Sequence, residues 1–160
     1  MAPPSPEPLV PGAAVPDAGV ASLYQEIILS HYRAPLHRGP LVGATVSVEQ
    51  QNPLCGDTLT LQVRRDGDTI ADAAFTARAC SITQATASML LRRVIGHSVQ
   101  DARAVVADVE DLLEQPSPAG ARGAHLGDLR ALGSVARFPA RKACVRLVTS
   151  ALLEALATPR

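Results

Sequence analysis

Along the chain the spacing of apolar positions changes period several times, and each change marks a boundary between elements. Up to about residue 20 there is no period at all. The stretch MAPPSPEPLVPGAAVPDAGV has almost no bulky side chains, and proline interrupts every candidate helix within it. Such a segment buries too little apolar surface to offset the entropy of ordering it, so residues 1 to 20 read as a disordered arm and residues 21 to 160 as a single domain. From Ser22 the period becomes helical: Leu23, Tyr24, Ile27 and Ile28 recur at helical steps, Ser22 is placed to cap, and Pro35 stops the run. This predicts a helix over roughly Ser22 to Tyr32, with His31-Tyr32-Arg33 as its solvated end.

The period then shortens to two. Thr45, Val46 and Val48 predict one strand, and Leu59, Leu61 and Val63 alternate with polar residues in a second. Asp66-Gly67 is a hairpin signal, after which Ile70, Ala74 and Phe75 continue on the return strand, so the expected sheet is antiparallel and three-stranded. A helical period resumes past Cys80. Ser81 or Thr83 can cap a helix through Ala85, Met89, Leu90 and Val94, which Gly96 ends. Ser98-Val99-Gln100-Asp101 has the form of a capping box with Asp in place of Glu, and Val105, Val109, Leu112 and Leu113 give a helix to about Glu114 its apolar face. Gln115 to Gly127 is a loop by its Pro, Gly and Ser content, and Asp128 to Leu132 a short helical turn. Pro139 sits in the first turn of a last helix carrying Val145, Val148, Leu152 and Leu156. The expected fold class is α+β: a small antiparallel three-stranded sheet packed against about five helices.

Composition sharpens this picture in three ways. With two Tyr, two Phe and no Trp, the core has to be built from Ala, Val, Leu and Ile. Fifteen Lys and Arg are balanced by fifteen Asp and Glu, which leaves no electrostatic footprint for nucleic acid. No uninterrupted apolar run reaches transmembrane length, and the first twenty residues lack the basic and apolar regions of a signal peptide, so no membrane association is expected. The three cysteines form no dense framework, as expected of reduced thiols in a cytoplasmic protein.

Those cysteines carry the candidate chemistry. Cys55-Gly56-Asp57 puts a thiol and a carboxylate two positions apart on a turn, and Cys80 and Cys144 follow far along the chain. Three thiols and one carboxylate make a possible four-ligand set that suits zinc, which accepts both donor types in a tetrahedral arrangement. The wide spacing excludes a local zinc knuckle, so any shared site has to be assembled by the tertiary fold. The hairpin supplies part of that assembly, because Cys55 lies at the mouth of its first strand and Cys80 just beyond its second, where the two ends run side by side. Cys80 also falls at a helix N-terminus, where backbone N–H groups face an anionic sulfur favourably. His37, His97 and His125 have no thiol or carboxylate neighbour at ligand spacing and read as surface residues.

Leu23-Tyr24-Gln25-Glu26-Ile27-Ile28-Leu29-Ser30-His31-Tyr32, Asn52-Pro53-Leu54-Cys55-Gly56-Asp57, Ala79-Cys80-Ser81-Ile82-Thr83 and Phe138-Pro139-Ala140-Arg141-Lys142-Ala143-Cys144 together resemble the SufU/IscU-like family of iron–sulfur assembly proteins. The resemblance spans roughly Leu23 to Leu156 and implies the SufE/IscU-like fold. The IscU branch carries a His immediately before the third cysteine and builds a [2Fe–2S] cluster as a scaffold; here that position is Ala143. The SufU branch lacks the His, has a longer insertion between the second and third cysteines, and carries Arg three residues before the third, as Arg141 stands here. The chain therefore looks like a zinc-dependent sulfurtransferase that accepts persulfide sulfur from a SufS-type cysteine desulfurase and passes it toward an iron–sulfur scaffold such as the SufBCD complex. The resemblance implies zinc held by Cys55, Asp57, Cys80 and Cys144, with Cys55 as the sulfur acceptor; its loop position agrees, since a turn swings away at less cost than a helix. Arg141 becomes a candidate partner for Asp57 or for a persulfide anion. The rival readings are a [2Fe–2S] scaffold on the same ligands and a zinc site that only pins the fold. Ala79 departs from the family's usual Gly before the second cysteine, which makes a left-handed backbone costly there.

Overall fold

The computed structural model of the protein describes residues 18–115 and 124–157. Strands β1 (Val46–Gln51), β2 (Thr58–Asp66) and β3 (Thr69–Arg78) form an antiparallel sheet in that order, with β2 in the middle. The period-two pattern explains the pairing. Val46 and Val48 stand opposite Val63 and Leu61, and those two stand opposite Ala73 and Phe75. All six therefore share one face, and all six are buried. A register shift between Arg64 and Arg65 sets Arg65 opposite Ile70, and the strands turn at Gly67, whose φ of 62° favours glycine.

Among the described residues there are five helical segments, of which two cover the buried face of the sheet and the other three pack on these helices and on one another. Helix α1 (Ala18–Arg33) starts ahead of the expected Ser22, and the part of the expected arm up to Asp17 lies outside the described residues. Helix α2 (Ser81–Val94) packs on β3, α3 (Val99–Glu114) follows after Gly96, and α4 (Pro139–Ala157) lies against β1, β2 and α2. Between α3 and α4, residues Ala124–Val135 form a kinked 3-10 segment that begins inside the expected loop; residues 116–123 of that loop lie outside the description. The α+β class, the sheet and the helix count agree with the sequence pattern. The expected cap of α3 is also present, as the Ser98 hydroxyl accepts the Asp101 N–H at 3.0 Å.

Two features were not visible in the periodicity. The free edge of β3 is covered by loop backbone: Gly39 N–H donates to the Phe75 carbonyl and Phe75 N–H to the His37 carbonyl, while the Ile70 N–H and C=O are taken by His97 and Gly96. The edge is thus occupied at Ile70 and at Phe75, which limits its pairing with other chains. His31, expected at a solvated helix end, is instead buried: its Nδ1 lies 2.7 Å from Ser88 Oγ and its Nε2 2.8 Å from Asp128 Oδ2. The Leu36 N–H also donates to Ser88 Oγ at 2.8 Å. This chain of bonds ties α1, α2 and the 3-10 segment together. His37, His97 and His125 are exposed as expected.

Phe75 fills the centre of the sheet's inner face and is fully buried. Phe75→Ala is expected to cost about 3–5 kcal/mol in urea unfolding, because the surrounding small aliphatic side chains collapse only partly into the gap.

Candidate metal centre

The loop from Asn52 to Asp57 is built to hold one side chain in and one out. Asn52 Oδ1 accepts the Leu54 N–H at 3.0 Å, forming an Asx turn, and its carbonyl accepts the Gly56 N–H at 2.8 Å. Gly56 takes a φ of +74°, which a side chain would oppose, and the Asn52 N–H then closes the loop on the Asp57 carbonyl at 2.8 Å. As a result Cys55 is exposed at the tip, while Asp57 turns inward and is buried.

Asp57 leads directly into β2, whose first residue Thr58 pairs with Arg78 at the end of β3. The hairpin therefore delivers Asp57 and Cys80 to the same end of the sheet. Cys80 is itself the N-cap of α2, in extended backbone, and its side chain makes no capping bond. This corrects the expectation of a Ser81 or Thr83 cap. Ala79 is not among the residues of positive φ, so its Cβ meets no left-handed strain. The Thr83 hydroxyl, freed from capping, donates to Asp57 Oδ2 at 3.1 Å, and the Cys80 N–H reaches the same oxygen at 3.3 Å.

Helix α4 brings the remaining thiol. Cys144 lies on its buried side, with Sγ 3.4 Å from Cys80 Sγ and 3.3 Å from the Ala140 carbonyl. One ligand atom each from Cys55, Asp57 and Cys144 lies within 4.8 Å of the others. Cys80 joins this group through its contact with Cys144. All four sequence candidates for a metal thus converge, although three of them are mutually close and the fourth is attached at one side. Arg141 does not join them: its guanidinium stacks over the Phe138 ring at 4.5 Å, and among the described residues no ion pair links it to Asp57.

The electrostatics of this cluster are those of acidic groups crowded together. Burial and then the adjoining Cys80 thiol push the Cys144 thiol up to about 12, with Thr83 opposing and the Asp57 carboxylate adding the least. Asp57 is buried, yet among the described residues no cationic side chain pairs with it. A doubly charged ion would reverse each of these penalties. Tetrahedral zinc at about 2.3 Å from each sulfur needs sulfurs about 3.8 Å apart, close to the spacing present. The residues fit a thiolate-rich zinc site.

The family model for the NifU-like N-terminal domain matches residues 23–145. The chain belongs to the NifU-like N-terminal domain family. Within this family it is 34% identical over 141 residues to the zinc-dependent sulfurtransferase SufU of Bacillus subtilis, covering 88% of this chain and 94% of that one. It is 37% identical over 135 residues to the iron–sulfur cluster assembly scaffold protein IscU of Streptococcus pyogenes, covering 84% and 82%. Among solved structures, a SUF-system protein of Fervidobacterium islandicum AW-1 assigned as an iron–sulfur cluster assembly scaffold superposes with a TM-score of 0.75 at 27% identity, covering 84% of this chain and 97% of that one. The chain is a SufU/IscU-like member of the NifU-like family, and its α+β fold is shared with these relatives.

The division between exposed and buried thiols predicts an order of reaction. In the metal-free chain, iodoacetamide followed by peptide mass mapping should label Cys55 and Cys80 well before Cys144. Because the Cys144 thiol stays protonated far above neutrality, its labelling rate should climb about tenfold per pH unit between about pH 7 and 10 without a plateau.

Proposed function

We propose that this protein is a zinc-dependent sulfur acceptor for iron–sulfur cluster assembly, taking persulfide sulfur from a SufS-type cysteine desulfurase and passing it to a downstream scaffold such as the SufBCD complex. The observation that carries this reading is the convergence of Cys55, Asp57, Cys80 and Cys144 with no cation paired to them among the described residues. The likeness to SufU of Bacillus subtilis, named a zinc-dependent sulfurtransferase, supports both the metal and the activity.

Cys55, Asp57, Cys80 and Cys144 would hold the zinc. When bound, zinc supplies positive charge that keeps the sulfurs as thiolates and shields them from oxidation. The chain's own residues divide the remaining work. Cys55 and Cys80 are both exposed, but Cys55 stands on a turn, whereas Cys80 is fixed as the cap of α2, so Cys55 is the thiol that moves to a donor at least cost. Its thiolate attacks the outer sulfur of the donor's cysteine persulfide; the donor's S–S bond breaks, the donor cysteine leaves as thiolate, and the persulfide now stands on Cys55. Asp57 and Cys144 stay behind, fixed by the hairpin end and by α4. Arg141 would have to leave the Phe138 ring to meet either Asp57 or the persulfide anion, so it enters as a secondary contributor.

The likeness to IscU of Streptococcus pyogenes favours a second reading, a scaffold that carries a [2Fe–2S] cluster on the same residues. Against it, Ala143 precedes Cys144, and no histidine belongs to the thiol and carboxylate group found among the described residues.

Elemental analysis of the purified protein, paired with turnover of a matched cysteine desulfurase, tests the proposal. A single zinc per chain and strong stimulation of turnover are expected, with Cys55→Ser accepting labelled sulfur only at background. Iron with little stimulation would establish the scaffold, and zinc without stimulation a purely structural site.

A further inference from the structure

Thr83 lies in the first turn of α2 and is fully buried. It is the third residue of the helix, behind the Cys80 cap, and its hydroxyl bonds away from the helix. Oγ1 stands 3.1 Å from Asp57 Oδ2 and 3.5 Å from Cys80 Sγ, so it touches two members of the metal group while belonging to none of its ligand classes. The Cys80 N–H, from the same helix start, reaches the same carboxylate oxygen at 3.3 Å. Two donors on Oδ2 fix the plane of the carboxylate and occupy that oxygen, and Oδ1 keeps its lone pairs.

We propose that Thr83 is a positioning residue for the metal centre, holding Asp57 by one oxygen so that the other is presented to a zinc ion among the three sulfurs. The inference rests on the zinc reading above and adds to it a residue that is not itself a ligand. The physical argument is one of pre-organisation. A carboxylate at the mouth of β2 has two free torsions, and a buried one without a partner would turn toward whichever N–H is nearest. The threonine hydroxyl, held in a β-branched side chain with few rotamers, removes that freedom before the ion arrives. Its single hydrogen goes to Asp57, the stronger acceptor, while the Cys80 S–H donates to Cys144 Sγ. Loss of that S–H on metal binding leaves the bond to Asp57 intact.

The test compares Thr83→Val, Thr83→Ser and Thr83→Ala in the full-length chain. Valine keeps the shape and removes the hydroxyl, serine keeps the hydroxyl, and alanine paired with serine isolates the hydroxyl should valine fail to fold. Zinc affinity is read by competition with a chromophoric chelator, and the fold by thermal melting of the metal-free protein. Zinc binding by Thr83→Val and Thr83→Ala is expected to weaken about 10–100-fold, with Thr83→Ser close to the unsubstituted chain. Metal-free melting of valine and serine variants should stay within about 3 °C of the parent. Valine or alanine variants that bind zinc as tightly as the parent would overturn the role of Thr83 while leaving the zinc site in place. An equal loss in the serine and alanine variants would also overturn it, since the hydroxyl would then not be the cause. A parent chain that binds no zinc would remove the zinc reading itself, and this inference with it.

Discussion

The register of the β2–β3 hairpin is the constraint on which the rest depends. Leu59, Leu61 and Val63 face the core only if they stand opposite Ala77, Phe75 and Ala73, and a slip of one residue would turn this whole set to solvent. The same register sets Thr58 opposite Arg78, so the chain enters β2 from Asp57 and leaves β3 toward Cys80 at one point in space. Helix α4 must then cover β1 and β2 to bury their apolar face, and in doing so it brings Cys144 against Cys80. The convergence of the candidate ligands is a consequence of core packing, with the loops adding only the final orientation.

That convergence is costly on its own. Three sulfurs and a buried carboxylate repel once ionised, and the metal-free chain meets the difficulty by keeping a proton on Cys144, whose thiol is pushed up to about 12. Protons and a divalent cation are therefore alternative occupants of the same cluster. The sign follows: a cation that binds must displace protons, so its affinity strengthens as pH rises. Elsewhere on α4, Arg146 pairs with Glu110 and Glu114 and Lys142 with Glu114, while Arg141 stacks on the Phe138 ring.

Much of this was legible in the sequence, and the parts that were not share a cause. Period-two and helical patterns located the sheet and the helices because those patterns report local burial, and the hairpin signal at Asp66-Gly67 was enough to place Cys55, Asp57 and Cys80 together. Cys144 had to be brought in by chemistry and resemblance, since no local pattern says where a helix docks. His31 was misread because its partners, Ser88 and Asp128, belong to elements distant in sequence. Thr83 was read as a cap because Thr near a helix start usually is one, whereas its actual acceptor is Asp57, in the loop just before β2. Arg141 carried a role by its spacing from Cys144, but spacing along a helix does not fix rotamer, and the Phe138 ring three residues earlier offers its guanidinium a flat face.

The three thiols are not equivalent, and their differences follow from what each is anchored to. Cys144 is held by the hydrogen-bonded ladder of α4, and Cys80 by its place as the cap of α2; moving either would unmake a helix turn. Cys55 is held by a turn whose internal bonds all centre on Asn52, and Asn52 is itself buried. The base of the loop is therefore rigid while its tip is free of packing, as the 90% exposure of Leu54 beside Cys55 shows. A transfer of sulfur needs one thiol that travels and others that do not. The fold supplies that asymmetry through backbone anchoring, before any metal or partner is present.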